Sequence, residues 1–254
     1  MRKRYVIANF KMNKLDNEVE EYLSTLIPLA VSDSTQVVLA VPSVSIKTAS
    51  TKCKDTGIII GAQNVCEHDF GAYTGEVNAE MVKAVGAGAT LIGHSERRAN
   101  FGETDEQVNK KILSALKSGL VTILCVGETI YDKKNGLTLK SIKSQLIACL
   151  KSIYANEFNH IVIAYEPMWA IGTGITPTNQ EIDQSVKCIR EVLKDIYDEK
   201  IAESVSIVYG GSVSDLNIRE IIKISSLDGV LVGGASLVPE KFGKIIAGFE
   251  KKKN

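Results

Sequence analysis

The sequence predicts an α/β protein, a (β/α)8 barrel in which eight parallel strands close on themselves and helices form the outer layer. Three observations carry this. Eight short apolar runs recur along the chain, and segments with helical spacing separate them. The length, 254 residues, fits the roughly 250 that one such barrel occupies.

The runs are residues 5–10, 37–41, 58–62, 90–92, 121–126, 161–164, 206–209 and 229–232. They are rich in β-branched residues and nearly continuous in apolarity, as strands covered on both faces by other structure tend to be. Helix signals lie between them. Thr104-Asp105-Glu106-Gln107 and Thr178-Asn179-Gln180-Glu181 both match a capping box, in which side chains satisfy the first free N–H groups of a helix. Behind the first, Val108, Ile112 and Leu116 recur every four residues; behind the second, Ile182, Val186, Ile189, Leu193 and Ile196 draw one apolar stripe. Leu139, Ile142, Leu146, Cys149 and Ile153 predict a further stripe between the fifth and sixth runs, with Cys149 as core filler. Strands that alternate with helices pair in parallel through right-handed crossovers. An open doubly wound sheet competes, but its usual G-x-G-x-x-G after the first strand is replaced by Asn9-Phe10-Lys11-Met12-Asn13. No Pro/Gly/Ser linker divides the chain, so one domain over residues 1–254 is expected.

Composition narrows the function. With 44% hydrophobic and 24% charged residues the chain can build a large core and is a poor fit to disorder or coiled coil. Thirty basic residues cancel thirty acidic ones, so no bulk positive field favours nucleic acid as a partner. The five cysteines (Cys53, Cys66, Cys125, Cys149, Cys188) are odd in number and scattered, which suits a reducing cytoplasm. The three histidines (His68, His94, His160) have no Cys or His at zinc-ligand spacing, and no metal is expected. The apolar stretch behind the basic N-terminus, residues 5–8, is too short for a signal-peptide core, no run of about 18 apolar residues suggests a membrane span, and residues 251–254 read as a solvated end.

In a barrel of this type chemistry sits where strands end. Those positions hold Asn9 and Lys11 after the first run, and His94, Ser95, Glu96, Arg97 and Arg98 after the fourth. Glu166 and Pro167 follow the sixth, Gly210, Gly211 and Ser212 the seventh, and Gly233 and Gly234 the eighth. Singly, most have an ordinary reading. A loop lysine is usually solvated, a lone histidine is usually structural, and Glu96, Arg97 and Arg98 fit an ion-pair cluster better than a direct catalytic role. Glu166 is harder to dismiss. Pro167 disfavours helix at that position, and a carboxylate at the mouth of an apolar barrel loses hydration, which strengthens it as a base. The glycine pairs after the last two strands suit a phosphate site, because glycine lets main-chain amides approach an anion closely. Ala170-Ile171-Gly172-Thr173-Gly174 supplies small residues suited to a lid.

Several segments together resemble a known family from end to end. They are Asn9-Phe10-Lys11-Met12-Asn13, His94-Ser95-Glu96-Arg97-Arg98, Cys125-Val126-Gly127-Glu128, residues 164–174, Tyr209-Gly210-Gly211-Ser212-Val213 and residues 231–237. In order and spacing they are similar to the signature segments of the triosephosphate isomerases. The resemblance implies a TIM barrel without cofactor that interconverts dihydroxyacetone phosphate and D-glyceraldehyde 3-phosphate in glycolysis and gluconeogenesis. It places Glu166 as the base, His94 as the electrophile, and Asn9 and Lys11 in the polar pocket. Gly172, Ser212, Gly233 and Gly234 take the phosphate-binding positions. Gly61-Ala62-Gln63-Asn64 and Gly71-Ala72-Tyr73-Thr74-Gly75-Glu76 resemble the family's third loop, which implies a homodimer in which this loop enters the neighbouring subunit and supports its Lys11 region. His68 then falls in that loop or its interface, and His160 is structural. Three departures from the pattern bear on packing and the lid: Lys14 where glycine is commoner, Ile175 where the lid commonly ends in lysine, and Phe10 for a frequent tryptophan. A barrel acting on a larger sugar phosphate would need more polar strand-end residues than these, and a catalytically silent binding barrel would not need Glu166, His94 and Lys11.

Overall fold

A computed structural model describes residues 2–171 and 175–250. Eight strands form one closed parallel sheet in chain order: β1 (Arg4–Asn9), β2 (Thr35–Val41), β3 (Ile59–Ala62), β4 (Ala89–Ile92), β5 (Val121–Val126), β6 (Ile161–Tyr165), β7 (Ser206–Tyr209) and β8 (Gly229–Val232), with β8 returning to pair with β1. Each of the eight apolar runs becomes a strand, with ends shifted by at most a residue or two. Phe10 lies just past β1; it is fully buried and packs edge-on against Tyr22, with ring centroids 4.8 Å apart. The aromatic replacement at this position therefore stays in the core.

The continuous apolarity of the runs follows from the pleat. Successive side chains of a strand point to opposite faces. Tyr5, Ile7, Val38, Ala40, Leu91, Ile123, Cys125, Val162, Ala164, Val208 and Leu231 fill the barrel interior. Their neighbours, such as Val6, Ala8, Leu39, Ile92, Leu124 and Ile163, pack outward against the helices. Both faces are dry.

The helices start where the sequence indicates. Asp105–Lys117 and Asn179–Ile196 carry complete capping boxes. In the second, the Thr178 N–H donates to Glu181 at 2.8 Å and the Glu181 N–H returns to the Thr178 hydroxyl at 3.3 Å. Ile182, Val186, Ile189 and Leu193 form its buried stripe, and Ile196 is only partly buried. The helix Thr138–Cys149 corrects one expectation: its buried stripe is Ile142, Leu146 and Cys149. Leu139 is half exposed in its first turn, and Ile153 is buried beyond its end, as part of the connection to β6. All five cysteines are free, and only Cys188 is not fully buried. Burial and the nearby Asp105 carboxylate push the Cys149 thiol up to about 12, which suits core filler.

Closure of the barrel needs a glycine at its seam. A Cβ on Gly229 would stand 2.0 Å from the carbonyl oxygen of Tyr5, the residue it pairs with. Neither backbone can retreat without breaking the β1–β8 ladder. Gly229→Ala is expected to lower stability by about 1–3 kcal/mol, the usual cost of overpacking a rigid site, read as a lower urea midpoint at unchanged slope. An unchanged midpoint would mean that the seam is looser than its geometry states.

Candidate active site

The interior register of the strands continues to their ends and beyond. Ile7 leads to Asn9, Ala164 to Glu166, Val208 to Gly210 and Leu231 to Gly233, each two residues on and so on the same face. The period of the pleat thereby aims residues from distant parts of the chain at one mouth. They line a cavity of about 260 Å³ with Lys11, His94, Ile171, Gly211, Ser212 and Gly234. Of the sequence-derived residues, Asn9, Lys11, His94, Glu166, Ser212, Gly233 and Gly234 all meet here. Gly172 lies outside the described residues.

Glu166 is fixed by backbone on three sides. Its N–H donates to the Val126 carbonyl at 2.7 Å. A Cβ on Gly127 would fall 1.9 Å from the Glu166 carbonyl oxygen, and one on Gly210 would fall 2.7 Å from its Cγ. Only glycine allows these approaches. The side chain is 2% exposed as a residue, and its Oε2 accepts the Ser95 N–H at 3.3 Å. Oε1 stands 3.4 Å from Nε2 of His94.

His94 follows β4 and caps the helix Ser95–Phe101: its Nδ1 accepts the N–H of Glu96 at 3.2 Å. A nitrogen that accepts a backbone N–H carries no hydrogen in that bond, which leaves the ring hydrogen on Nε2. The nitrogen that faces Glu166 and the cavity is therefore a donor.

Lys11 has a left-handed backbone, φ 53°, which costs a non-glycine residue about 1–2 kcal/mol. Contacts hold it: the Lys11 N–H donates to Asn9 Oδ1 at 2.9 Å, and Gln63 Nε2 donates to the Lys11 carbonyl at 2.8 Å. Its Nζ pairs with Glu96 Oε1 at 2.6 Å. Arg97 pairs with Glu103 and Arg98 with Asp105, so all three charges after His94 are in ion pairs. Lys14 is also left-handed, φ 71°, which explains why glycine suits that position; its ammonium lies 5.0 Å from the Tyr22 ring centroid. Ile175, which departs from the family's commoner lysine, is exposed.

The loops after β7 and β8 are braced from behind. Asn217 Nδ2 donates to the Ser212 carbonyl, and the Ser214 N–H donates to Asn217 Oδ1, both at 2.8 Å. The Ser236 hydroxyl donates to the Gly233 carbonyl at 2.7 Å, while the Tyr22 hydroxyl donates to the Ser236 carbonyl at 2.7 Å.

Glu128 has a role that motif reading left unassigned. It is fully buried and accepts hydrogen bonds from Trp169 Nε1 at 2.8 Å and from the Tyr165 hydroxyl at 3.2 Å. Burial holds its carboxyl above the usual range against those bonds. Its position at the end of β5 was the available signal. Cys125, below, has its thiol pushed well up by burial and by the Glu166 charge, so it is not a nucleophile.

A second cavity of about 460 Å³ adjoins the first across Lys11 and His94 and is lined also by Met12, Gly75, Glu76 and Arg97. Met12 is 98% exposed, and the exposed Phe101 also lines this cavity. Tyr73 of the third loop stacks on His68 with centroids 4.0 Å apart. Among the described residues no helix is long and apolar enough to cross a membrane, and no group of three or more His, Cys, Asp or Glu is placed to hold a metal ion.

The family profile for triosephosphate isomerase matches residues 4–249. A triosephosphate isomerase of Caldanaerobacter subterraneus subsp. tengcongensis is 43% identical over 246 residues, covering 97% of this chain and 99% of the relative. One of Alkaliphilus metalliredigens is 44% identical with the same coverage, and one of Finegoldia magna is 42% identical over 97% of this chain and 98% of its own. A glutamate and a histidine at the mouth of a closed eight-stranded barrel, matched over nearly the whole chain, place this protein in the triosephosphate isomerase family, as an isomerase with the TIM-barrel fold.

Proposed function

We propose that the chain interconverts dihydroxyacetone phosphate and D-glyceraldehyde 3-phosphate through an enediol(ate), with Glu166 as base and His94 as electrophile. The observation that carries this is the 3.4 Å approach of a buried carboxylate oxygen to an Nε2 that holds a proton. Glu166 takes a proton from the carbon beside the carbonyl. The electron pair of the broken C–H bond becomes the enediolate C=C, and the carbonyl pair moves onto oxygen. His94 Nε2–H and the Lys11 ammonium donate where that charge appears, so they favour the transition state over the substrate. His94 passes a proton between the two oxygens, and Glu166 returns its proton to the neighbouring carbon. Atoms balance, and no redox partner enters.

Ser212, Gly233 and Gly234 bind the phosphate dianion through main-chain amides at the opposite wall of the cavity, and the family resemblance adds Gly172 to the phosphate ligands. Asn9 sets Lys11 through its side-chain oxygen and completes the polar pocket. An exposed enediolate can expel phosphate, so covering the site protects the product as well as strengthening its electrostatics. Such an activity belongs to glycolysis and gluconeogenesis, in the cytoplasm. The third loop, residues 71–76, enters the second cavity of a neighbouring copy and supports Lys11 there, which makes the working form a homodimer. The exposed Met12 and Phe101 that line that cavity support this reading.

Glu166→Asp keeps the charge and withdraws it by one methylene. It is expected to lower kcat by about a hundredfold or more, the scale of a 1 Å misplacement, while an enediolate mimic still binds. A coupled assay and a titration read the two quantities, and wild-type turnover in the variant would remove Glu166 from the mechanism. Thr74→Arg puts an unmatched charge at the tip of the third loop and is expected to shift sedimentation towards monomer at submicromolar concentration. An intact dimer there would take the loop out of the interface.

A further inference from the structure

Lys133 lies in the short helix Ile130–Lys134, five residues after Glu128. Its ammonium stands 5.3 Å from the centroid of the Trp169 ring and forms an ion pair with Glu181. These partners belong to different elements. Trp169 sits in the turn Met168–Ala170, three residues beyond Glu166. Glu181 is the third residue of Asn179–Ile196 and the closing member of its capping box. The indole is thus fixed in two directions: its N–H donates to Glu128 at its edge, and a cation faces its ring. Tryptophan presents the most favourable ring face to a cation, and the pairing gains when both are partly shielded from water, as Lys133 is here.

We infer that Lys133 is a positioning residue for the isomerisation. Glu181 holds the ammonium, the ammonium holds the Trp169 ring, and the ring fixes the path of residues 166–169, which carry the base. The ionisable groups around it fit this. Glu181 is held below the usual carboxylate range, first by its hydrogen bond from Lys133, and it spends its other oxygen on the N-cap of its own helix. It cannot follow a mobile lysine without uncapping that helix. Glu128, the other acid nearby, already has the indole and the Tyr165 hydroxyl. Lys133 therefore joins the fifth strand's exit to both flanking elements of the sixth loop, a link between residues 36 and 48 positions apart in sequence.

The inference rests on Glu166 being the base, and the test separates the two. Lys133→Met keeps the apolar stem and removes the cation, whereas Lys133→Arg keeps a cation able to cover a ring and pair with a carboxylate. Trp169 is the single tryptophan of the chain, so its emission reports its surroundings directly. In the full-length protein, the Met variant is expected to change that emission and to lower kcat about two- to fivefold, the factor equivalent to one exposed cation–π contact. KM and the affinity for 2-phosphoglycolate should stay near wild type, because the phosphate wall is untouched, and the Arg variant should restore emission and kcat. Wild-type emission and kcat in the Met variant would overturn the inference, and so would a lower thermal midpoint with no change in either, or an Arg variant that behaves like the Met variant. A wild-type chain without isomerase activity would instead overturn the assignment of Glu166, while the emission spectra would still show whether Lys133 holds Trp169.

Discussion

Glu166 sits where the ends of three adjacent strands crowd one another. Its amide is bonded to the exit of β5, its carbonyl presses on Gly127, and its side chain lies against Gly210 after β7. A glutamate on a free loop would sample many rotamers and spend most of its time in water. Here the barrel's closure decides its place, since eight parallel strands must deliver their C-terminal ends to one rim. Everything else about the site follows from that crowding: the glycines that admit it, the Ser95 amide and His94 imidazole that meet its carboxylate, and the dry interior beneath it.

The same economy governs His94. A single backbone hydrogen bond, from Glu96 to Nδ1, both caps a helix and selects the tautomer whose proton faces the cavity. Local structure thereby sets electronic state. The strain at Lys11 is of the same kind, a left-handed residue kept in place by Asn9 and Gln63 and by a charge partner 85 positions away. These are constraints that a folded scaffold can impose and that a short peptide could not.

Much of this was legible in the chain. Parallel strands buried on both faces read as unbroken apolar runs, and a run of β-branched residues is hard to mistake, so β1 to β8 emerge with nearly correct ends. Capping boxes are local, and Thr104 and Thr178 behave as their neighbours dictate. The site residues were reachable because strand ends can be counted from strand runs. What was hidden depends on distance. Ile153 fits a helical period but lies past the end of its helix, in a connection whose packing is set by tertiary contacts. Glu128 stood in a recognisable segment, yet its bonds to Tyr165 and Trp169 exist only once β5 and β6 are paired. Lys133 carried no signal at all, because a lysine beside a second lysine in a short helix looks like solvated surface.

The proposed reaction is proton transfer by a carboxylate instead of hydride transfer between carbons. Dihydroxyacetone phosphate converted by the purified protein in deuterium oxide tests this most directly. A carboxyl group exchanges its proton with solvent during the enediolate's lifetime, so the D-glyceraldehyde 3-phosphate formed should carry deuterium at the carbon that receives the proton from Glu166. Product that forms with the substrate's own hydrogen fully retained, or no conversion at all, would contradict it.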